Sequence, residues 1–221
     1  MIDAIVPAGV ACAEAFSDPP DAALFPEEEA LVGRAVDKRR REFATGRGCA
    51  RSALAALGVA PAPILAGDRG APLWPPGFVG SITHCSGYRA AVVASARDAR
   101  TIGVDAEPDD ALPDGVLSTV ALPGERGRLR DLALAAPGIS WDRLLFCAKE
   151  ATYKAWFPLT GRWLGLEDAD ITINPADGTF EARLLVEAPA DIGFPLTGFS
   201  GRWLASGGLI LTAIVQARDT R

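Results

Sequence analysis

The feature of this sequence that most constrains its fold is an order of elements that occurs twice. Apolar residues at helical spacing predict one long helix over about Asp37–Leu57 and another over about Trp141–Phe157. Later in each half, two apolar strands are separated by a short glycine turn, at Gly87 in the first half and at Gly207 in the second. The repeated order of a helix and antiparallel strands predicts an α+β fold of two similar halves and suggests an internal duplication.

Local signals place the remaining elements. Three glutamates that follow Pro26 suit the positive end of a shorter, first helix. Gly58 is expected to cap the next helix, and Pro158 to stop the last one. Residues 1–25 are predicted to be an irregular lead-in or a short strand, and residues 58–80 an extended loop. A further helix is predicted over Pro123–Leu134, and strands over Val79–Thr83, Tyr88–Ser95, Thr101–Glu107, Ala169–Asn174, Thr179–Val186, Gly201–Ala205 and Leu209–Gln216.

The composition excludes several classes of protein. The chain has 221 residues, 28 of them acidic and 22 basic, and its formal net charge is -6. General nucleic-acid binding is not expected, because neutralising phosphates requires an excess of basic residues. No apolar run approaches the roughly 18 residues of a membrane span, and no secretion signal is evident, so a cytoplasmic location is expected. The four cysteines lack the C-x-x-C spacing of zinc and redox sites and are predicted to be reduced thiols.

A pair of carboxylates marks the strand over Thr101–Glu107. Side chains alternate between the two faces of a strand, so Asp105 and Glu107 share a face while their neighbours are apolar. Two adjacent carboxylates repel each other unless a positive charge lies between them, and a hard divalent cation such as Mg²⁺ is a natural partner. The alternative is an edge strand with a solvated acidic face.

The last long helix carries Glu150 and Lys154, which are neighbours on one face because they are four residues apart. They form either part of a charged site or an ordinary surface ion pair. The chain has only three lysines, and two of them, Lys149 and Lys154, lie in this otherwise apolar helix. This concentration favours a site.

Two basic segments complete the set of candidates. The only histidine, His84, lies at a strand end, where it either caps a turn or donates to a phosphate or a ribose hydroxyl. On the helix that begins near Asp37, Arg40, Arg47 and Arg51 form a stripe, and Arg39 lies about a quarter-turn from Arg47. These arginines either bind phosphate in a bidentate manner or form a solvated basic face. Together the candidates describe a site for a metal-bound, polyphosphorylated ligand.

The ordered set of motifs resembles the Sfp-type 4'-phosphopantetheinyl transferases, especially their actinobacterial, PptT-like members. The resemblance covers residues 37–216. It is carried by R-R-x-E-F-x-x-G-R (Arg39–Arg47), G-x-P (Gly70–Pro72), S-x-T-H (Ser81–His84), G-V-D-A-E (Gly103–Glu107) and K-E-A-T-Y-K (Lys149–Lys154).

The resemblance implies a fold of two similar α/β halves related by a pseudo-twofold axis, with the active site at their interface. We expect an N-terminal half over residues 1–101 on the nucleotide side. A C-terminal half over residues 102–221 would carry the metal and the catalytic helix. The two halves would form one compact, monomeric unit.

The resemblance also implies the reaction and its participants. The phosphopantetheine arm of coenzyme A would be transferred to a serine of apo acyl carrier or peptidyl carrier proteins, with release of 3',5'-ADP and dependence on Mg²⁺ or Mn²⁺. Such carriers serve fatty-acid, polyketide and nonribosomal peptide synthesis. Neither nucleic acid nor a membrane is an expected partner.

Residue roles follow from the matched motifs. Asp105, Glu107 and Glu150 would hold the metal, and Glu150 would also be the general base, with Lys154 and Asp105 as further catalytic residues. Phe146 would border the pantetheine arm. Ala66 stands where the family has a lysine, so one nucleotide contact is expected to be missing. The expected coenzyme A-binding residues are Arg39, Arg47, Gly67, Asp68, Arg69, Thr83, His84, Tyr153, Lys154 and Trp163.

Two other functions remain open at this point. One is a different Mg²⁺-dependent enzyme that acts on a nucleotide diphosphate without a carrier protein. The other is a non-catalytic module that binds coenzyme A or a carrier protein. The presence of all of Asp105, Glu107, Glu150 and Lys154 favours the transferase, because a module that has lost catalysis need not retain them. A docking patch for an acidic carrier is expected among Arg126, Arg128, Arg130 and Arg143.

Overall fold

The computed structural model of this chain describes residues 1–218. They contain five α-helices and eight strands. The predicted α+β class is therefore confirmed, while residues 219–221 of the predicted C-terminal half lie outside the described residues. The helices are α1 (Pro26–Val32), α2 (Asp37–Ala56), α3 (Leu117–Val120), α4 (Pro123–Ala135) and α5 (Trp141–Thr160). The strands are β1 (Ala11–Ala15), β2 (Phe78–Cys85), β3 (Tyr88–Ser95), β4 (Ala99–Pro108), β5 (Ala169–Asn174), β6 (Thr179–Leu184), β7 (Gly198–Ser206) and β8 (Leu209–Ala217).

The strands form two antiparallel sheets, each covered by one long helix. The first sheet has the order β1-β3-β2, and the second has the order β4-β8-β7-β6-β5. Helix α2 packs on β3 and β1, whereas α5 packs on β4 and β8, and each of these helices has 20 residues. The repeated order of helix and hairpin in the sequence thus becomes two layers of similar construction.

Side-chain hydroxyls join the two sheets where β2 lies beside β4. The Val104 amide donates to the Ser81 hydroxyl over 3.1 Å, and the Ala106 amide donates to the Thr83 hydroxyl over 3.0 Å. Ser81 and Thr83 lie on one face of β2 because they are two residues apart. They take the place of backbone carbonyls for the amides of β4, so the junction between the sheets depends on side chains.

A buried glutamate occurs at an equivalent place in each half. Glu28, in the first turn of α1, pairs with Arg51 of α2 over 2.8 Å and accepts the Ile64 amide. Glu125, in the first turn of α4, pairs with Lys149 of α5 over 3.0 Å and accepts the Ile171 amide of β5 over 2.7 Å. Each glutamate also accepts the amide of its own N-cap residue, which is one half of a capping box; the apolar N-cap side chains have no atom that could accept a hydrogen bond in return. This shared arrangement supports the suggested internal duplication and gives Lys149 a structural role.

Several predicted boundaries were wrong. Pro158 does not stop α5, which continues to Thr160. A proline in the last turn removes only one helical hydrogen bond. Gly161, in a left-handed conformation, caps the helix, and its amide donates a hydrogen bond to the Phe157 carbonyl. The predicted strand over Thr179–Val186 ends at Leu184, and the one over Gly201–Ala205 extends to Gly198–Ser206. The short helix α3 was not predicted.

Other local predictions were confirmed. The lead-in contains the short strand β1, which pairs with β3. Helix α1 begins at Pro26, and α2 ends at Ala56, two residues before the left-handed Gly58. All four cysteines are free thiols. Within residues 1–218, no helix combines the length and the apolar character that crossing a membrane requires.

Candidate active site

A cleft of about 500 Å³ lies where the first sheet meets the C-terminal part of α5. Its walls come from the loop over residues 67–74, from β2 and from α5. The loop and the helix supply five of the predicted site residues to its lining: Gly67, Asp68, Arg69, Tyr153 and Lys154. The structure therefore brings together residues that are more than 80 positions apart in the sequence.

The Asp105 carboxylate, on β4, is buried, and its two oxygens have different surroundings. Oδ1 accepts the Lys154 ammonium over 2.7 Å and the Thr83 hydroxyl over 3.0 Å. Oδ2 is also buried and accepts no well-formed hydrogen bond from the described residues; its carboxylate neighbours the Cys147 thiol, a weak donor whose pKa is raised by burial and then by the Asp105 charge. A buried carboxylate oxygen without a partner is costly, and a cation would satisfy it. This orphaned oxygen is the feature of the site that best fits a metal ligand.

Glu107 and Glu150 face the same negative charge. Burial raises the pKa of Glu107, and the Asp105 charge raises it further, while Arg143 lowers it by pairing over 3.0 Å. Burial and then Asp105 likewise raise the pKa of Glu150, against the opposing charge of Lys154. Both glutamates thus lie within reach of the Asp105 negative charge, which an added cation would offset. Oxygen ligands of this kind are those that Mg²⁺ prefers.

The three carboxylates are not gathered into a preformed cage. In the described part of the chain, no three acidic, thiol or imidazole side chains have the arrangement of a metal site. Arg143 holds the Glu107 carboxylate and also donates to the carbonyls of Asp110 and Ala111 over 2.9 and 3.1 Å. Glu107 is therefore engaged by α5 in this structure, and its role as a ligand stays a prediction.

Lys154 does not form the surface pair with Glu150 that the helix spacing offered as an alternative. Its ammonium reaches across to β4, where it bonds the Asp105 carboxylate and the Val104 carbonyl, the latter over 3.1 Å. Burial opposes its positive charge, but the neighbouring negative groups, chiefly Asp105 and then Glu150, together raise the pKa of Lys154. The lysine thus remains charged at the wall of the cleft, as a phosphate-binding role requires.

His84 and Arg39 meet at the edge of the first sheet. Arg39 Nη1 lies 2.6 Å from His84 Nε2, and the Arg39 side chain is 51% exposed. Desolvation of the ring and then the Arg39 charge lower the pKa of His84. Two nitrogen-rich groups that converge at an exposed place are suited to bind an anion, so the structure brings these two predicted residues together.

The predicted arginine stripe on α2 is mostly engaged within the protein. Arg40 pairs with Glu29, and Arg51 pairs with Glu28. Arg47 is 5% exposed, its Nε donates to the Ile64 carbonyl over 2.7 Å, and burial lowers its pKa to about 10. The alternative of a solvated basic face is therefore wrong for Arg47 and Arg51, whereas Arg40 forms an ion pair that stays partly exposed. The predicted phosphate contact of Arg47 would have to come from a largely covered side chain.

Aromatic side chains border the cleft at its rim. The Trp163 ring is 61% exposed, lies 4.9 Å from the Tyr153 ring and is covered by the Arg69 guanidinium at 5.2 Å. Arg69 adopts a left-handed conformation with a φ of 54°, which is uncommon for a residue other than glycine. Phe146 lies on α5, partly buried against the core of the second half. The rim therefore joins the loop of the first half to the segment that follows α5.

Two contacts that shape this site, Thr83 with Asp105 and Arg143 with Glu107, were not predicted from the sequence. The one signal available for the first was that β2 carries hydroxyls two residues apart, just as β4 carries carboxylates two residues apart. Of the arginines expected in a docking patch, Arg126 bonds the Ala121 and Ser118 carbonyls, and Arg128 pairs with Asp170. With Arg143 also engaged, the patch stays a prediction.

Comparison with known proteins gives two family matches that cover most of the chain. Residues 27–94 match the 4'-phosphopantetheinyl transferase N-terminal domain, and residues 101–195 match the 4'-phosphopantetheinyl transferase superfamily. The chain is 54% identical to the 4'-phosphopantetheinyl transferase Svp of Streptomyces mobaraensis, over 98% of this chain and 89% of that protein. It is 53% identical to the 4'-phosphopantetheinyl transferase PptT of Mycobacterium tuberculosis, over 97% of each. It is 54% identical to the 4'-phosphopantetheinyl transferase Npt of Nocardia iowensis, over 98% of this chain and all (100%) of that protein.

Proposed function

Because the chain belongs to the 4'-phosphopantetheinyl transferase superfamily, we propose that it transfers the phosphopantetheine arm of coenzyme A to a serine of an apo carrier protein and releases 3',5'-ADP. The proposed carriers are acyl carrier and peptidyl carrier proteins. The observation that best supports this function is the charged pair of Asp105 and Lys154, of which Lys154 lines the wall of the cleft of about 500 Å³. We also propose that residues 1–101 and 102–221 act as the two halves of one monomeric unit.

Asp105, Glu107 and Glu150 are the proposed ligands of a divalent cation, Mg²⁺ or Mn²⁺. When bound, such a cation supplies positive charge that stabilises the diphosphate of coenzyme A. The unpartnered Oδ2 of Asp105 supports this assignment most directly. Glu107 is already paired with Arg143. For Glu107 to bind the cation, its carboxylate must either contact both Arg143 and the cation or break its ion pair with Arg143.

The chain's own residues carry the remaining steps. The serine hydroxyl of the carrier attacks the β-phosphorus, the bond from that phosphorus to the oxygen of 3',5'-ADP breaks, and Glu150 accepts the serine proton. Lys154 stabilises the negative charge of the transition state from its place beside Asp105. In phosphoryl-group transfer, positioning and electrostatics contribute most of the rate, and both depend here on the contact between β4 and α5.

The rest of the cleft is proposed to bind coenzyme A along its length. The loop over Gly67–Gly70 lines the adenine side. Arg39, His84 and Arg47 bind the phosphates at the nucleotide end. Tyr153, Trp163 and Phe146 are proposed to border the pantetheine arm. The contact between the Tyr153 ring, which lines the cleft, and the Trp163 ring supports this for those two residues.

Intact-protein mass spectrometry tests the reaction. An apo acyl carrier protein and an apo peptidyl carrier protein are each incubated with the chain, coenzyme A and Mg²⁺. We expect a mass gain of one phosphopantetheine, its loss in EDTA and its recovery when Mg²⁺ is restored. A gain that persists in EDTA would contradict the metal requirement. If neither carrier gains mass while the chain still binds coenzyme A, the chain would instead be a non-catalytic binding module.

Replacing Arg39 with alanine should raise the KM for coenzyme A by about 10-fold or more and change kcat less than about threefold. A hydrogen bond to a charged group contributes about 1.5–3 kcal/mol, and this contact is made equally in the ground and transition states. Arg40→Ala is the matched control, because the neighbouring Arg40 pairs with Glu29 instead of His84. Steady-state kinetics at varied coenzyme A measure both constants. Equal KM values for the two variants would remove Arg39 from the binding site.

A further inference from the structure

Thr83 lies at the junction of the two sheets, with its hydroxyl directed at the candidate metal ligand. The residue is 1% exposed. Its oxygen accepts the Ala106 amide over 3.0 Å and lies 3.0 Å from Asp105 Oδ1. A hydroxyl has one proton to donate. Because an amide already points at this oxygen as a donor, the hydroxyl proton is left for the carboxylate.

The two oxygens of Asp105 therefore differ in their hydrogen bonds. Oδ1 receives two donors, the Thr83 hydroxyl from β2 and the Lys154 ammonium from α5. Oδ2 receives none from the described residues, although it is buried. The carboxylate cannot turn to present Oδ1 without losing both bonds. Its orientation is therefore set from two sides, one in each half of the molecule.

We propose that Thr83 is a positioning residue that holds Asp105 so that Oδ2 is presented to the divalent cation. This inference rests on the proposed function, in which Asp105 binds that cation. It also replaces the role expected from the family resemblance, because a hydroxyl that is covered and bonded to Asp105 and Ala106 acts on coenzyme A through the metal ligand and not by direct contact. Partners that orient a metal ligand commonly affect metal affinity by about 10- to 100-fold.

Ser81 provides a matched control for the structural part of this contact. It lies two residues before Thr83 on the same face of β2, is 4% exposed, and accepts the Val104 amide over 3.1 Å. Its hydroxyl thus joins the sheets in the same way but is not bonded to Asp105. Ser81→Ala and Thr83→Val each leave one amide of β4 without its acceptor, so they should lower stability by similar amounts, and only Thr83→Val should alter the carboxylate.

The experiment measures Mn²⁺ binding to the full chain from the electron paramagnetic resonance signal of free Mn²⁺. Thermal unfolding is followed in parallel. We expect Thr83→Val to weaken Mn²⁺ binding by about 10- to 100-fold, and Thr83→Ser and Ser81→Ala to remain within about threefold of the unsubstituted chain. In transfer assays, Thr83→Val should raise the apparent KM for Mn²⁺ and leave the KM for coenzyme A nearly unchanged. If Thr83→Val does not fold, Thr83→Cys keeps a weaker donor at the same place and should bind Mn²⁺ with intermediate affinity.

The outcomes separate this inference from the proposed function. Unchanged Mn²⁺ affinity in Thr83→Val, or equal weakening in Ser81→Ala, would overturn the role of Thr83 while leaving the transferase function intact. If Thr83→Val binds Mn²⁺ more weakly but the unsubstituted chain transfers no phosphopantetheine, the role of Thr83 would be supported and the transferase function overturned. Failure of the unsubstituted chain to bind Mn²⁺ would overturn the metal site and Thr83's role together.

Discussion

Replacing Glu150 with glutamine is expected to lower kcat by about 10²- to 10⁴-fold, the range that general acid–base catalysis contributes. Glutamine has nearly the same shape as glutamate, but it cannot accept the serine proton and is a poorer ligand for a divalent cation. Glu150 is half-buried on the face of α5 that carries Lys154, beside the cleft. Single-turnover transfer to an apo carrier at saturating coenzyme A and metal measures the effect.

The fold and coenzyme A binding should survive this substitution. Asp105→Asn is a less selective test, because it also removes the charge that pairs with Lys154 and would leave a largely covered ammonium without its carboxylate. Glu181→Gln is a suitable control, since Glu181 is an exposed residue of β6 whose carboxylate accepts the Ser200 hydroxyl on the sheet surface. A turnover within about threefold of the unsubstituted chain would exclude Glu150 as the general base, because a general base contributes far more than that.

Part of this site could be predicted because the positions of its side chains follow from the regular spacing of residues along a strand or a helix. Alternation along a strand placed Asp105 and Glu107 on one face, and helical spacing placed Glu150 near Lys154. The order of helix and hairpin likewise predicted two layers. These inferences involve residues within a few positions of one another, where the backbone geometry alone sets which side chains are neighbours.

Partners across the fold could not be predicted in the same way. Lys154 bonds Asp105, which lies 49 positions away, and Lys149 pairs with Glu125, 24 positions away in the sequence and in another helix. Nothing in the spacing of the two lysines distinguishes the one at the cleft from the one in the core. The burial of Arg47 could not be predicted either, because it depends on the loop that brings the Ile64 carbonyl to this side chain.

One tertiary feature had a local signal that could have been used. The segments Phe25–Glu28 and Leu122–Glu125 both have an apolar residue, a proline and then a glutamate at the third helical position. A capping box usually begins with a serine or threonine, so the apolar N-caps leave only the glutamate half of this motif. The glutamates accept the backbone amides of their own N-caps and also pair with a basic residue on the long helix. The repeated proline–glutamate spacing is therefore a clearer sign of the suggested duplication than the hairpins are.

Replacing Gly103 with alanine is expected to lower the free energy of unfolding by more than about 3 kcal/mol, at the upper end of the cost of overpacking a core. Gly103 is the point where β4 comes closest to α5. A Cβ atom there would lie 2.0 Å from the Ala151 carbonyl oxygen and 2.6 Å from the Ala155 amide nitrogen. These are backbone atoms of a buried helix and cannot turn aside as a side chain can. The strand would have to move away from α5, which also carries the bond from Thr101 to the Ala155 carbonyl.

Replacing Gly48 with alanine should instead raise the free energy of unfolding. Gly48 lies inside α2, where an added Cβ would meet no atom within 4 Å beyond its own helix, and alanine favours the helix over glycine by about 1 kcal/mol. Chemical unfolding of the two variants compares the effects directly. Since Asp105 follows Gly103 on β4 and Lys154 precedes Ala155 on α5, a displaced strand would also separate the Asp105–Lys154 pair. Folded Gly103→Ala should therefore lose transfer activity as well as stability, and equal stability of the two variants would show that β4 and α5 do not need this close approach.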